Sequence, residues 1–167
     1  LNNTTNNANN PNENYAREFL ELFTIGKGEQ VGDGDYTNYT EGDVQQAARV
    51  FSGFKTQLDR SIIDSDTNIP MGRTNTNQHD SGDKQFSSAF NNYIVTGSET
   101  SEGMFDEINQ LVDMIFSQQA TALNYVKKIY RFFVKSEWDQ ETEETVINDL
   151  AQELISSNFQ ISPVVKT

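Results

Sequence analysis

The chain contains no cysteine, one histidine, one tryptophan and three prolines in 167 residues. Without cysteine there are no disulfides, no thiolate metal sites and no cysteine nucleophile. The compartment stays open, because an exported bacterial protein can also lack cysteine. A lone histidine, His79, thins any conventional zinc site. No run approaches 18 apolar residues, so no segment reads as a membrane-spanning helix. Basic residues are scarce: 12 Lys and Arg against 25 Asp and Glu, a formal net charge of -13. Such a surface repels phosphate backbones, which argues against nucleic acid as a partner and weakens any attraction to anionic membranes. Nucleophile-elbow, phosphate-loop, dinucleotide-binding, H-E-x-x-H and haem-attachment patterns are all missing. Hydrophobic residues make up 35%. Even with the 10 glycines, the apolar share falls short of the roughly 45–50% usual for globular domains. The length suits one domain with a modest core.

What is present is mostly helical pattern. In Asn12–Gly28, Asn10 or Asn12 can cap, Pro11 suits the first turn, and Gly26 can end the helix in a left-handed conformation. Tyr15, Phe19, Leu22 and Phe23 recur as one apolar stripe, widened by Ala16 and Leu20. Thr40 and Asp43 resemble a capping box for a second helix reaching about Phe54, with Val44, Ala47, Ala48, Phe51 and Phe54 inward. A third helix is expected over Ser101–Ser117, a fourth over Gln118–Lys135 and a fifth over Asp139–Ser157. Ser162 and Pro163 read as the cap and first turn of a sixth. On the fourth, Lys127, Lys128 and Arg131 face water or an acidic neighbour. Expected core positions include Phe19, Phe23, Phe51, Leu111, Ile129 and Phe133.

Between the second and third helices, residues 55–97 lose helical periodicity and are rich in Asn, Asp, Ser, Thr and Gly. Short strands are expected near Phe54–Leu58, Arg73–Gln78 and Lys84–Ser87, with His79–Asp83 as the turn joining the last two. The Asn-rich residues 1–11 read as a flexible lead-in. Asp33 and Asp35 alternate with glycine, but the spacing misses the sixth-position glycine and twelfth-position glutamate of a calcium loop, so a plain acidic loop is expected. The fold class that follows is mainly α: a multi-helix, bundle-like domain over 12–167 with a small β-hairpin insertion between the second and third helices.

Four blocks stand in order: NENYAREFLELFTIGKG, YTEGDVQQAARVFSGF, HDSGDKQF and ATALNYVKKIYRFFV. Together they closely resemble the bacterial domain-of-unknown-function family 1800 (DUF1800). The resemblance runs from Asn12 to about Val134. It implies a piece of the C-terminal half of a longer, often exported protein, in the periplasm or at the cell surface. It implies no established activity. The partners it suggests are the remainder of the longer chain and a possible further protein.

Two readings of the polar residues stay open. Asn14, Arg17 and Glu21 are expected to form a structural network, with Arg17 held by Glu21 and by one acid from outside its helix. In that case the chain is a helical scaffold or interaction module. Alternatively, a polar cluster that joins Arg17, Glu18 and Glu21 to His79 and Asp80 supplies a general base or metal ligands for a metal-dependent or hydrolase-like enzyme.

Overall fold

The computed structural model describes residues 5–166. It is mainly α-helical, with two small antiparallel strand pairs inserted between the second and third helices. Helix α1, Glu13–Glu18, runs directly into a π-helical turn, Phe19–Phe23. Asn12 is its cap: the Asn12 side chain accepts from the Tyr15 amide at 3.1 Å. Pro11 therefore lies before the cap rather than in the first turn. Gly26 closes the segment at φ +73°, its amide reaching the Leu20 carbonyl at 2.9 Å. Helix α2, Glu41–Val50, begins at the capping box made by Thr40 and Asp43 and stops before Phe54. Phe54 instead opens strand β1.

The insertion is paired differently from the expected hairpin. Strand β1 (Phe54–Lys55) pairs with β2 (Arg73–Thr74), and β3 (Lys84–Gln85) pairs with β4 (Ile94–Val95). β2 and β3 are not partners, so residues 79–83 do not connect a hairpin. They bridge two separate sheets, with a 3-10 turn, Thr76–Gln78, just before them. The β1–β2 pair extends into an arm. Ile63 bridges Pro70, and the Met71 amide donates to the Ile62 carbonyl at 3.0 Å.

Helices α3 (Ser101–Phe116) and α4 (Gln119–Phe133) follow. Asp139 then caps α5 (Gln140–Thr142), which passes through a second π turn, Glu143–Ile147, into α6 (Asn148–Ser156). Helix α7, Ile161–Lys166, starts one residue before the expected cap, Ser162, which sits inside it.

Two apolar clusters hold these elements. The larger joins Ala16, Leu20, Val44, Ala47, Phe51, Phe86, Phe90, Val95, Leu111 and Ile115. Phe51 anchors it, with Tyr15 and Phe19 edge-on at 5.1 and 5.0 Å. The smaller packs Val126 of α4 against Ile147, Ala151, Leu154 and Val164. Of the expected core, Leu111 and Phe51 are buried and Phe19 and Ile129 are partly so. Phe23 and Phe133 are not: they are 56% and 64% exposed. The reason for Phe23 is the π turn. A wider turn rotates its last residues off the 3.6-residue stripe, so Leu20 faces inward while Leu22 and Phe23 face out. Phe133 closes α4 with its side chain turned largely to solvent.

The lead-in is held where it is described, residues 5–11; residues 1–4 lie outside the described residues. Asn6 is buried. Its side chain donates to the Ala48 carbonyl at 3.0 Å and accepts from the Asn12 amide at 2.9 Å.

Candidate functional site

The polar residues gather around His79, and the organising partner is an acid on α3. Met104, Glu107, Leu111, Met114 and Ile115 form the buried face of that helix. Glu107 stands three residues after Met104 and four before Leu111, in the middle of an apolar stripe, and its side chain is 0% exposed. One oxygen, Oε1, meets His79 Nε2 at 2.9 Å and the Ser98 amide at 2.7 Å. The other, Oε2, meets Lys84 Nζ at 2.5 Å, and Lys84 is equally buried. Lys84 also donates to the Asp80 carbonyl. Burial pushes the Lys84 pKa down, opposed by its bond to Glu107.

The other side of the His79 ring faces the end of α2. Nδ1 lies 2.9 Å from the Ser52 carbonyl and 3.3 Å from the Ser52 hydroxyl. That hydroxyl spends its one proton on the Arg49 carbonyl at 2.6 Å and accepts from the Asp80 amide at 2.9 Å. Nδ1 therefore has only the carbonyl to face, and must donate to it. Nε2 faces the Glu107 carboxylate, so both ring nitrogens are engaged and the ring is clamped between the end of α2 and α3.

Asp80 completes the set from the surface side. Arg49 forks onto it, Nε to Oδ2 at 2.7 Å and Nη2 to Oδ1 at 3.0 Å, and also reaches Gln46 at 2.5 Å. This guanidinium holds the Asp80 carboxyl below its ordinary range. Gly53 lets the chain pass beneath. It sits at φ +79°, and a Cβ there would stand 2.8 Å from the Asn75 carbonyl and 3.0 Å from the His79 backbone. No buried side-chain nitrogen or oxygen among the described residues lacks a partner.

The expected residues thus separate into two places. His79 and Asp80 share the buried cluster with Lys84, Arg49 and Glu107. Glu18 and Glu21 do not join them, and no three His, Asp or Glu side chains among the described residues converge to hold a metal. Arg17 meets the acid from outside its helix: it forks onto Glu41 at 2.9 and 2.5 Å. The same pairing lowers the Glu41 pKa and raises that of Arg17. Glu21 turns instead to Lys27 at 2.8 Å and to the Tyr39 hydroxyl at 3.5 Å. The i,i+4 pairing of Arg17 with Glu21 fails because the backbone changes from α to π between them. Asn14 is exposed and joins neither pair. Of the basic residues on α4, Lys127 finds an acidic neighbour, Glu143, at 2.5 Å. Lys128, with Asn124 and Tyr125, instead donates to the last carbonyls of the first helical segment, Leu22, Thr24 and Phe23, each at 2.6 Å. Arg131 lies over the Trp138 ring at 5.1 Å.

Glu107 was not singled out from sequence, although its signal was there: an acid at a stripe position needs a buried cation or donor. Asp43, expected only as a capping residue, has a second role. Beyond capping α2, it accepts from the Ser87 amide and hydroxyl, both at 2.7 Å, tying that helix to the start of the 3-10 turn that follows β3.

A family model described as protein of unknown function, DUF1800, matches residues 1–167. The chain belongs to the DUF1800 family. Three of its four sequence blocks place polar residues into the clusters above: Arg17 against Glu41, Arg49 against Asp80, and His79 and Lys84 against Glu107, which lies outside the blocks. No match was found among curated proteins or solved structures.

Proposed function

We propose that this chain is a helical interaction module of a larger, exported bacterial protein, and that the His79 cluster is a structural staple rather than a catalytic centre. Residues 12–167 act in this reading as one helical domain, with the remainder of a longer protein or a further protein as partner. The observation that carries the proposal is saturation. Both His79 nitrogens, both Glu107 oxygens and the Lys84 ammonium are spent on one another and on backbone groups, and all three side chains are essentially out of reach of solvent. A general base needs a lone pair facing substrate, and a metal ligand needs one facing the ion. By contrast, apolar surface stands open elsewhere. A groove of about 300 Å³ runs between α4, the second π turn, α6 and α7, lined by Phe133, Val134, Val146 and Val165 among others. Exposed apolar patches of this kind mark contact surfaces.

The test is a comparison of His79→Ala, Glu18→Gln and Arg17→Met by thermal melting, read beside metal content with and without chelator. A staple loses stability in His79→Ala and is indifferent to metal. An intact melting curve with loss of bound metal or of an activity would reverse the assignment toward the metal-dependent or hydrolase-like alternative.

A further inference from the structure

Among the described residues, Lys84 is the buried lysine and Glu107 the buried glutamate. Lys84 Nζ stands 2.5 Å from Glu107 Oε2, and both side chains are 0% exposed. Keeping an ammonium and a carboxylate out of water is costly for each ion. A proton passed from nitrogen to carboxylate leaves a neutral amine beside a neutral acid, and burial favours that form over the charged one. Burial also pulls the Lys84 pKa down, the direction that frees the amine. Lys127 and Glu143 make the contrast. They meet at the same 2.5 Å, but their side chains are 36% and 32% exposed, so water keeps both charged.

The other carboxylate oxygen is turned away from the lysine. Oε1 accepts from the Ser98 amide at 2.7 Å and faces His79 Nε2 at 2.9 Å. An N–H fixed on that atom meets the negative charge it gains when the carbon is attacked. Lys84 lies on β3, paired with Val95 of β4, and Glu107 lies in mid-α3, so the two side chains start from fixed backbone. Groups held side by side in this way react as though at very high concentration. The chain has no cysteine, so no disulfide can tie these elements.

Resting on the staple reading, we propose that Lys84 and Glu107 condense in the folded protein to an amide, a covalent link between β3 and α3. The neutral Nζ attacks Glu107 Cδ, and the carbonyl electron pair moves to Oε1, onto the Ser98 amide. When that pair returns, the Cδ–Oε2 bond breaks. Oε2 leaves as water with two protons from the original ammonium, and the third stays on the new amide nitrogen. Nothing is oxidised or reduced, and no co-reactant is needed. The remaining N–H keeps the Asp80 carbonyl as its acceptor, and Oε1 keeps both of its neighbours, so no buried group loses its partner. The link joins positions 23 residues apart.

The intact mass of the 167-residue chain is the first measurement, taken after the folded protein has stood at neutral pH until its mass stops changing. The sequence mass less one water is expected; the full sequence mass overturns the proposal. Lys84→Arg keeps a cation but offers no attacking amine, so it should show its full mass. Loss of water from that variant overturns the assignment to Lys84. Trypsin then places the link. From Thr74 to Lys127 the chain has one internal cleavage point, Lys84. An amide on Nζ blocks it, so residues 74–127 should remain one fragment, lighter by one water. Cleavage after Lys84 in a chain that has lost water, or a loss mapped to Lys127 and Glu143, overturns the proposal. A chain of full mass whose His79→Ala variant still loses stability keeps the staple and removes only the bond.

Discussion

Glu107 is the residue on which most of the buried polar chemistry depends. Its carboxylate is the common acceptor for His79, Lys84 and the Ser98 amide. Removing it leaves the Lys84 ammonium and the His79 ring buried without their shared acceptor, and breaking a buried pair from one side costs about 3–5 kcal/mol. Glu107→Ala should therefore lose about that much in chemical denaturation. Glu107→Gln keeps the shape and one acceptor and should lose less. A loss below about 1 kcal/mol in Glu107→Ala would mean that solvent reaches the cluster. Arg17 belongs to a different class. Its fork onto Glu41 is about a third exposed on both sides, and such pairs contribute at most about 1 kcal/mol. Arg17→Met should fall in that range. Gly53 is a backbone case: its φ of +79° and the nearby Asn75 carbonyl leave no room for a Cβ. Gly53→Ala should destabilise by more than the ordinary cost of about 1 kcal/mol for filling a left-handed glycine position, because the His79 turn must also shift.

At the scale of elements, helices were legible and their termini nearly so. Thr40 and Asp43 mark the start of α2, and Asp139 that of α5, because capping side chains leave a local signature in sequence. The π turns left none. Phe19–Phe23 looks like a regular amphipathic turn, yet its wider backbone turns Phe23 outward and separates Arg17 from Glu21. Strand pairing was harder still. Two-residue strands carry too little alternation to fix a register: the sequence suggests β2 as the partner of β3, whereas the partner is β4, beyond the 3-10 turn Ser88–Phe90. In the candidate site, His79, Asp80 and Arg17 were visible as unusual residues. Their partners Glu107 and Glu41 were not, since they lie 28 and 24 residues away and only tertiary packing brings them together. The two helix faces now separate by experiment. Leu111 is fully buried and Phe133 is 64% exposed. Leu111→Ala should cost about 2–5 kcal/mol, and Phe133→Ala less than about 1 kcal/mol despite the larger side chain removed. Equal losses in thermal or urea unfolding would place Phe133 in a core.

For the whole molecule, the governing quantity is acid balance. Most of the 25 carboxylates repel one another, but Asp80 and Glu41 are held by arginines that pull their pKa values down. A carboxyl whose folded pKa lies below its unfolded value binds its proton more weakly in the fold. Its contribution to stability is complete above the unfolded value, about 4, and is lost as pH falls through the folded value. The two salt bridges therefore stabilise at neutral pH and fail together in acid. The repulsion among unpaired acids acts with the opposite sign, since their protonation relieves it. The wild-type melting temperature should hold or rise slightly from pH 7 toward 5, then fall below about 4. Arg49→Met isolates the first term. Without the guanidinium, Asp80 moves toward an ordinary carboxyl, lowered only by the Gly82 amide and by Lys84, and links folding to pH more weakly. The variant should be less stable than wild type at pH 7, and the gap between the two should narrow steadily from about pH 5 downward as the wild type gives up its own bridge. A gap that stays constant from pH 7 to 3 would mean that Arg49 acts through packing of its stem against Gln46 and the His79 turn, with no part for its charge.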